Sequence, residues 1–167
     1  MYCVRNVTDD LYWVGANDHR LALFENVYPI PRGVTYNSYL LLDEKTVLFD
    51  TVDWSACRQL LENINHVLNG RTLDYLVINH LEPDHAACIE EIMMRWPDIK
   101  IISNEKAFML MRQFGFPSVN TPSPLFLLPW FIGRKPWLHL MLRTVLYFQP
   151  TPLGLSAHWT VNCLPMR

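Results

Sequence analysis

A chain of 167 residues and 19.6 kDa has room for one domain of ordinary size. Lys plus Arg number 14 against 16 Asp plus Glu, and the net charge of −2 excludes a nucleic-acid binder held mainly by phosphate charge. With 50% apolar and 18% charged residues the composition is not that of a disordered chain.

Two short strands are expected at Cys3–Val7 and Leu11–Val14, around a turn at Thr8-Asp9-Asp10. A loop containing Pro29, Pro31 and Gly33 follows. Thr35–Leu42 and Thr46–Phe49 are apolar runs separated by Asp43-Glu44-Lys45, a hairpin pattern. From Ser55 to Leu68 apolar residues recur at helical spacing, with Asp53 or Ser55 placed to cap the start and Gly70 the end. Leu73–Ile78 has the continuous apolar character of a strand buried on both faces. Ile89, Ile92, Met93 and Trp96 define another helix, stopped by Pro97. A strand at Ile99–Ile102 and a helix capped by Asn104 and ended by Gly115 complete the series. The alternation of strands and helices predicts an α/β fold.

The four cysteines, Cys3, Cys57, Cys88 and Cys163, form no C-x-x-C pair, which fits a reducing, cytoplasmic setting better than a disulfide framework or a thiolate zinc site. Arg5, Asp9 and Asp10 interrupt any apolar leader core, so no signal peptide is expected.

One segment concentrates chemistry: Asn79-His80-Leu81-Glu82-Pro83-Asp84-His85. It lies between a buried strand and a helix, where open α/β sheets collect their binding sites. In an extended loop His80, Glu82 and Asp84 alternate in phase and point to one side, with His85 turned elsewhere. One imidazole and two carboxylates form a hard, anionic donor set that favours iron or manganese without excluding zinc. The competing reading is a polar surface loop.

H-x-E-x-D-H resembles the first metal motif of the flavo-diiron proteins, the A-type flavoproteins that reduce oxygen to water or nitric oxide to nitrous oxide. They form a branch of the metallo-β-lactamase fold, whose hydrolases carry H-x-H-x-D-H, so Glu82 points to the iron branch. Leu11–Gly15, Pro31–Leu40 and Leu48–Val52 also resemble that family's N-terminal strands, and the likeness covers residues 1–121. It implies the N-terminal half of an αβ/βα sandwich, with one sheet face left uncovered. It implies that His80 and Glu82 bind one iron and Asp84 the other, with His85 beside the metal without binding it. Asp50 resembles an acidic strand-end residue near the pocket, or else it starts the following helix. Tyr28, Tyr36 and Tyr39 suit the core better than the pocket.

In that family, electrons come from flavin mononucleotide on a flavodoxin-like domain, usually of the partner subunit in a head-to-tail homodimer. The electron donor is a rubredoxin or a flavin reductase. This sequence shows neither that domain nor the family's later ligands: a His in His-Trp-Pro-Glu, an Asp and a further His. The expectation is therefore an inactive chain that retains at most weak binding of one metal. A zinc hydrolase of the same fold is the alternative enzyme, and a non-enzymatic product with an apolar interaction tail is the alternative outside catalysis. His19, His66, His139 and His158 are expected in ordinary surface roles.

Charge and composition change abruptly after residue 121. Residues 1–121 hold 10 basic and 16 acidic side chains, whereas residues 122–167 hold 4 basic and no acidic ones, with 7 of the 12 prolines and 3 of the 6 tryptophans. Arg134-Lys135, Arg143 and the prolines break the apolar run 124–148, so a spanning helix is not expected. The genetic code suggests the cause. Regrouped from the third base of each codon, the codons of Pro129–Trp137 permit Met-Val-His-Trp-Pro-Glu-Ala-Met, and those of Phe148–Gly154 permit Ser-Ala-Asp-Ala-Phe-Gly. The hidden His and Asp fall 19 positions apart, the spacing that the resemblance requires. The expectation is a tail read out of frame after a deletion near Thr121-Pro122, poorly ordered, with a short helix around 138–148. The nucleotide sequence decides it: a shifted frame without the His-Trp-Pro-Glu codons contradicts the frameshift.

Overall fold

The computed structural model describes residues 2–24 and 26–116. The tail 122–167, with its boundary, its short helix, His139, His158 and Cys163, lies outside the described residues.

The first hairpin forms as its turn chemistry requires. Thr8 Oγ1 donates to Asp10 and accepts from the Leu11 amide, joining β1 (Arg5–Asn6) to β2 (Leu11–Trp13). The run expected over Thr35–Leu42 is divided. β6 (Val34–Tyr36) pairs with β3 (Ala16–Asp18) in a small separate sheet, and β7 (Tyr39–Leu42) pairs with β2. The break falls at Asn37-Ser38, where Asn37 accepts from the Trp13 indole and Ser38 donates to the Asp50 carbonyl. Gly15 permits the crossing: a Cβ there would lie 2.0 Å from the Tyr36 carbonyl oxygen. The expected proline loop also contains a hairpin, β4 (Leu23–Phe24) with β5 (Tyr28–Pro29). Tyr28 on this hairpin is 63% exposed, which overturns its assignment to the core.

The main sheet has six strands in the order β1-β2-β7-β8-β9-β10, with β8 (Thr46–Phe49), β9 (Tyr75–Val77) and β10 (Lys100–Ile102) mutually parallel. The other pairs are antiparallel. A 3-10 turn at Trp54–Ala56, capped by Asp53, leads into α1 (Cys57–Leu68), which ends on left-handed Asn69 and Gly70. α2 (Pro83–Ala86), α3 (Ile89–Arg95) and α4 (Glu105–Gln113) follow, with Asn104 capping α4. Period-two alternation sorts the strand residues onto two faces. Leu40, Leu48 and Leu76 join the core with Leu60 and Ile64 of α1 and Ile89 and Ile92 of α3. Leu41, Val47, Phe49, Tyr75, Val77 and Ile102 form the other cluster and are at most 8% exposed. The expectation of an uncovered sheet face therefore fails for these residues, and Leu11 and Tyr39 pack against them. Among the described residues no helix is long and apolar enough to cross a membrane.

Asn63 fastens the N-terminal strands to α1. It is fully buried; its amide nitrogen lies 2.9–3.1 Å from the carbonyls of Cys3, Val14 and Gly15, and its oxygen accepts from the Cys3 amide and Gln59. Asn63→Ala strands these groups in the core and is expected to lower unfolding free energy by about 2–3 kcal/mol. Urea denaturation checks this, and a loss below about 0.5 kcal/mol would remove Asn63 as the fastening point.

Asp18 supplies an acid-sensitive contact. The hydrogen bonds from Arg20 hold its carboxyl down at about 2, against the opposing effect of burial, with Ser55 assisting. A carboxylate depressed by folding contributes stability that is present above its unfolded value near 3.8 and lost as pH falls through about 2. Asp18→Asn is therefore expected to flatten the acid limb of the stability curve between about pH 4 and pH 2, as measured by thermal melts.

Candidate metal centre

Parallel strands β8 and β9 end side by side, and the candidate site is built on those ends. The Asp50 amide donates to the Val77 carbonyl at 2.8 Å, extending the pairing by one residue. Asp50 itself lies at φ 55°, in the left-handed region, which turns the chain out of the sheet. Its carboxylate then faces the following strand end. Oδ1 accepts from the Asn79 amide at 2.8 Å, and Oδ2 accepts from the Asn79 side chain and from His85 Nδ1 at 3.0 Å. Next along the chain, Thr51 donates from both its amide and its hydroxyl to the His85 carbonyl, at 2.8 and 2.9 Å.

The motif is half loop and half helix. Pro83 stands at the start of α2, and the His85 and Ala86 amides close a turn on the Glu82 carbonyl. This ends the extended alternation expected of His80, Glu82 and Asp84. His80 and Glu82 remain together, with Nε2 and Oε2 3.2 Å apart, at the more exposed side of the loop. Asp84 is carried inward, where its Oδ2 lies 3.5 Å from His85 Nε2. The same turn brings the His80 and His85 rings to 4.0 Å between centroids. Among the described residues, no three His, Cys, Asp or Glu side chains come together in a metal-holding group.

Burial is the largest influence on Asp84 and raises its pKa, outweighing the charge of His85. Its Oδ1 is buried with no hydrogen-bond partner, an acceptor directed into a region that supplies no donor. Burial disfavours charge on His85, but the hydrogen bond to Asp50 and the charges of Asp50, Asp84 and Glu82 outweigh it and raise the pKa. A cavity of about 240 Å³ adjoins Asp84, bounded also by Leu21, Phe24, Tyr36, Asp53 and Pro83. Burial and the charges of Asp53, Asp18 and Asp84 push the Tyr36 hydroxyl up to about 12, so it stays a neutral donor. Tyr36 thus belongs to core and cavity at once, whereas Tyr39 packs beside the second cluster. His19 lies against the Arg32 carbonyl and His66 stacks on Tyr2, both away from the motif.

The sheet and this strand-end loop define a metallo-β-lactamase-like domain, and the comparisons agree. The family profile described as ODP family beta lactamase matches residues 34–147, and the chain belongs to that family. That match runs beyond residue 121. The chain is 40% identical over 103 residues to the nitric oxide reductase of Moorella thermoacetica, covering 61% of this chain and 26% of the relative. It is 41% identical over 102 residues to the anaerobic nitric oxide reductase flavorubredoxin of Klebsiella pneumoniae, covering 60% and 21%. Among solved structures, rubredoxin oxygen:oxidoreductase from Desulfovibrio gigas superposes with a TM-score of 0.63 at 35% identity, covering 67% of this chain and 28% of that one. The resemblance to flavo-diiron proteins is thereby shown, and the chain spans about a quarter of the length of the curated relatives it matches.

In the metal-free chain, His85 is expected to titrate above its ordinary 6.5. A histidine raised by folding contributes stability that is fully present below that unfolded value and is lost as pH rises through the folded midpoint. Asp50→Asn should lower the midpoint. Imidazole resonances followed by NMR against pH check this, and a parent midpoint at or below 6.5 contradicts it.

Proposed function

We propose that this chain carries the first metal-binding segment of a flavo-diiron oxidoreductase acting on oxygen or nitric oxide, and that the chain as written does not turn over. The observation that carries the reading is the buried, unpartnered Asp84 Oδ1 beside the His80–Glu82 pair on the β8–β9 strand ends. A buried acceptor without a donor is costly, and a hard cation satisfies it. His80 and Glu82 would hold one iron and Asp84 the other. Bound iron would supply the Lewis acidity and redox capacity that oxygen or nitric oxide reduction requires.

This chain's residues do the positioning. Asp50 and Thr51 fix the two ends of the His85 residue, ring and carbonyl, and so set where Asp84 emerges. Asp50 engages His85 Nδ1, leaving Nε2 toward Asp84, which is consistent with a histidine beside the metal rather than on it. Tyr36 keeps its proton and faces the cavity as a hydrogen-bond donor. Flavin mononucleotide, a rubredoxin or flavin-reductase donor and the head-to-tail homodimer belong to the same proposal, on the strength of the family membership. So does the division into a metal-motif part at 1–121 and an out-of-frame tail at 122–167.

The test is metal binding by the 167-residue chain, with Fe(II), Mn(II) and Zn(II) compared by calorimetry under anaerobic conditions. One weak site is expected. His80→Ala and Glu82→Ala should each weaken it at least about tenfold, and His66→Ala should leave it unchanged. Equal losses in all three variants would indicate non-specific imidazole binding, and a tightly held metal pair or sustained turnover would overturn the inactivity.

A further inference from the structure

We propose that Cys57 and Cys88 form a redox-active pair that closes into an intramolecular disulfide when the chain meets a hydroperoxide. The inference is independent of the metal reading.

Both cysteines sit where helices begin. Cys57 is the first residue of α1 and Cys88 caps the start of α3. They lie in the same buried cluster, and their thiols are hydrogen-bonded to each other. The Cys88 thiol also reaches the backbone carbonyls of Val52 at 3.2 Å and Asp53 at 3.9 Å, the residues that lead into the turn before Cys57. Its amide is held 3.3 Å from Thr51 Oγ1. The two sulfurs are thus fixed against each other by backbone on both sides, and no strand or helix need shift to join them.

Their chemistry is unequal. The hydrogen bond from Cys88 outweighs burial and lowers the pKa of Cys57, whose place at the start of a twelve-residue helix also favours a thiolate. The same hydrogen bond, with burial, drives the Cys88 thiol strongly upward. Cys57 is therefore the attacking sulfur and Cys88 the resolving one. Ser55, Ala56, Arg58 and Gln59 line a groove of about 460 Å³ next to Cys57, wide enough to admit a small peroxide.

The step balances. The Cys57 thiolate attacks one peroxide oxygen, the O–O bond breaks, and hydroxide leaves as Cys57 becomes a sulfenic acid. The Cys88 sulfur then attacks the Cys57 sulfur and displaces a second hydroxide. The two thiol protons convert both hydroxides to water. Two sulfurs have lost two electrons in all, and the peroxide has gained them.

Trypsin separates the two residues onto peptides 46–58 and 72–95, so the link is read directly. The full chain is treated with hydrogen peroxide under native conditions and in urea, quenched with catalase, alkylated with N-ethylmaleimide and digested. Under native conditions the expected product is the 46–58/72–95 pair, two hydrogen masses below the sum of the free peptides and restored by dithiothreitol. In urea the links should scatter among Cys3, Cys57, Cys88 and Cys163. With Cys88→Ala, dimedone should trap a sulfenic acid on Cys57, whereas Cys57→Ala should leave Cys88 reduced. Native links that run through Cys3 or Cys163, a native pattern identical to that in urea, or Cys57 and Cys88 both alkylated after peroxide would each overturn the proposal. The wild-type comparison stands even where an alanine variant fails to fold.

Discussion

The Asp50 carboxylate holds the candidate site together. It follows the last residue of β8, and it is 5% exposed. Three donors converge on its two oxygens: the Asn79 amide, the Asn79 side chain and His85 Nδ1. Those donors come from the end of β9 and from α2, so a single side chain ties a strand end, its parallel neighbour and the helical turn that carries Asp84. A left-handed backbone at a non-glycine residue persists only where its surroundings impose it. Here the Val77 carbonyl accepting from its amide and the Ser38 hydroxyl donating to its carbonyl do so. The loop is accordingly shaped by the protein's own hydrogen bonds before any metal is considered.

That organisation explains why the motif residues divide. His80 and Glu82 satisfy one another at the rim, whereas Asp84 is drawn to His85, and one of its oxygens is left buried and unpartnered. A polar network with one unmet acceptor is expensive to maintain in a core. Such an arrangement suits a segment whose partners lie elsewhere, and this chain spans only about a quarter of the relatives it matches.

Much of the fold was legible in the sequence because local signals were strong. Helical spacing placed α1 and α4, and Asn104 capped α4 as its chemistry demands. The continuous apolar run at Leu73–Ile78 became a central parallel strand. The small β3–β6 sheet was not legible, because it depends on a long-range crossing at Gly15 and on the Trp13–Asn37 hydrogen bond. At the site, the motif string could be read but its shape could not. Alternation assumes an extended chain, and Pro83 starts a helical turn instead. Asp50 was readable as an acid at a strand end, but its role as the partner of His85 required knowing that β8 and β9 are parallel neighbours. Tyr36 carried no such signal: it looks like an ordinary strand aromatic until burial and three nearby carboxylates are seen around it.

Amide hydrogen exchange in the metal-free chain, compared between the parent and Asp50→Ala, tests most directly whether Asp50 organises this loop. The Asn79 amide bonds to the Asp50 side chain, and the Thr51 amide bonds to the carbonyl of the His85 that Asp50 holds. Both should lose protection in the variant by about tenfold or more, while the amides that pair β7 with β8 keep theirs. Unchanged protection at Asn79 and Thr51 would contradict the account, because the loop would then be held by something other than Asp50.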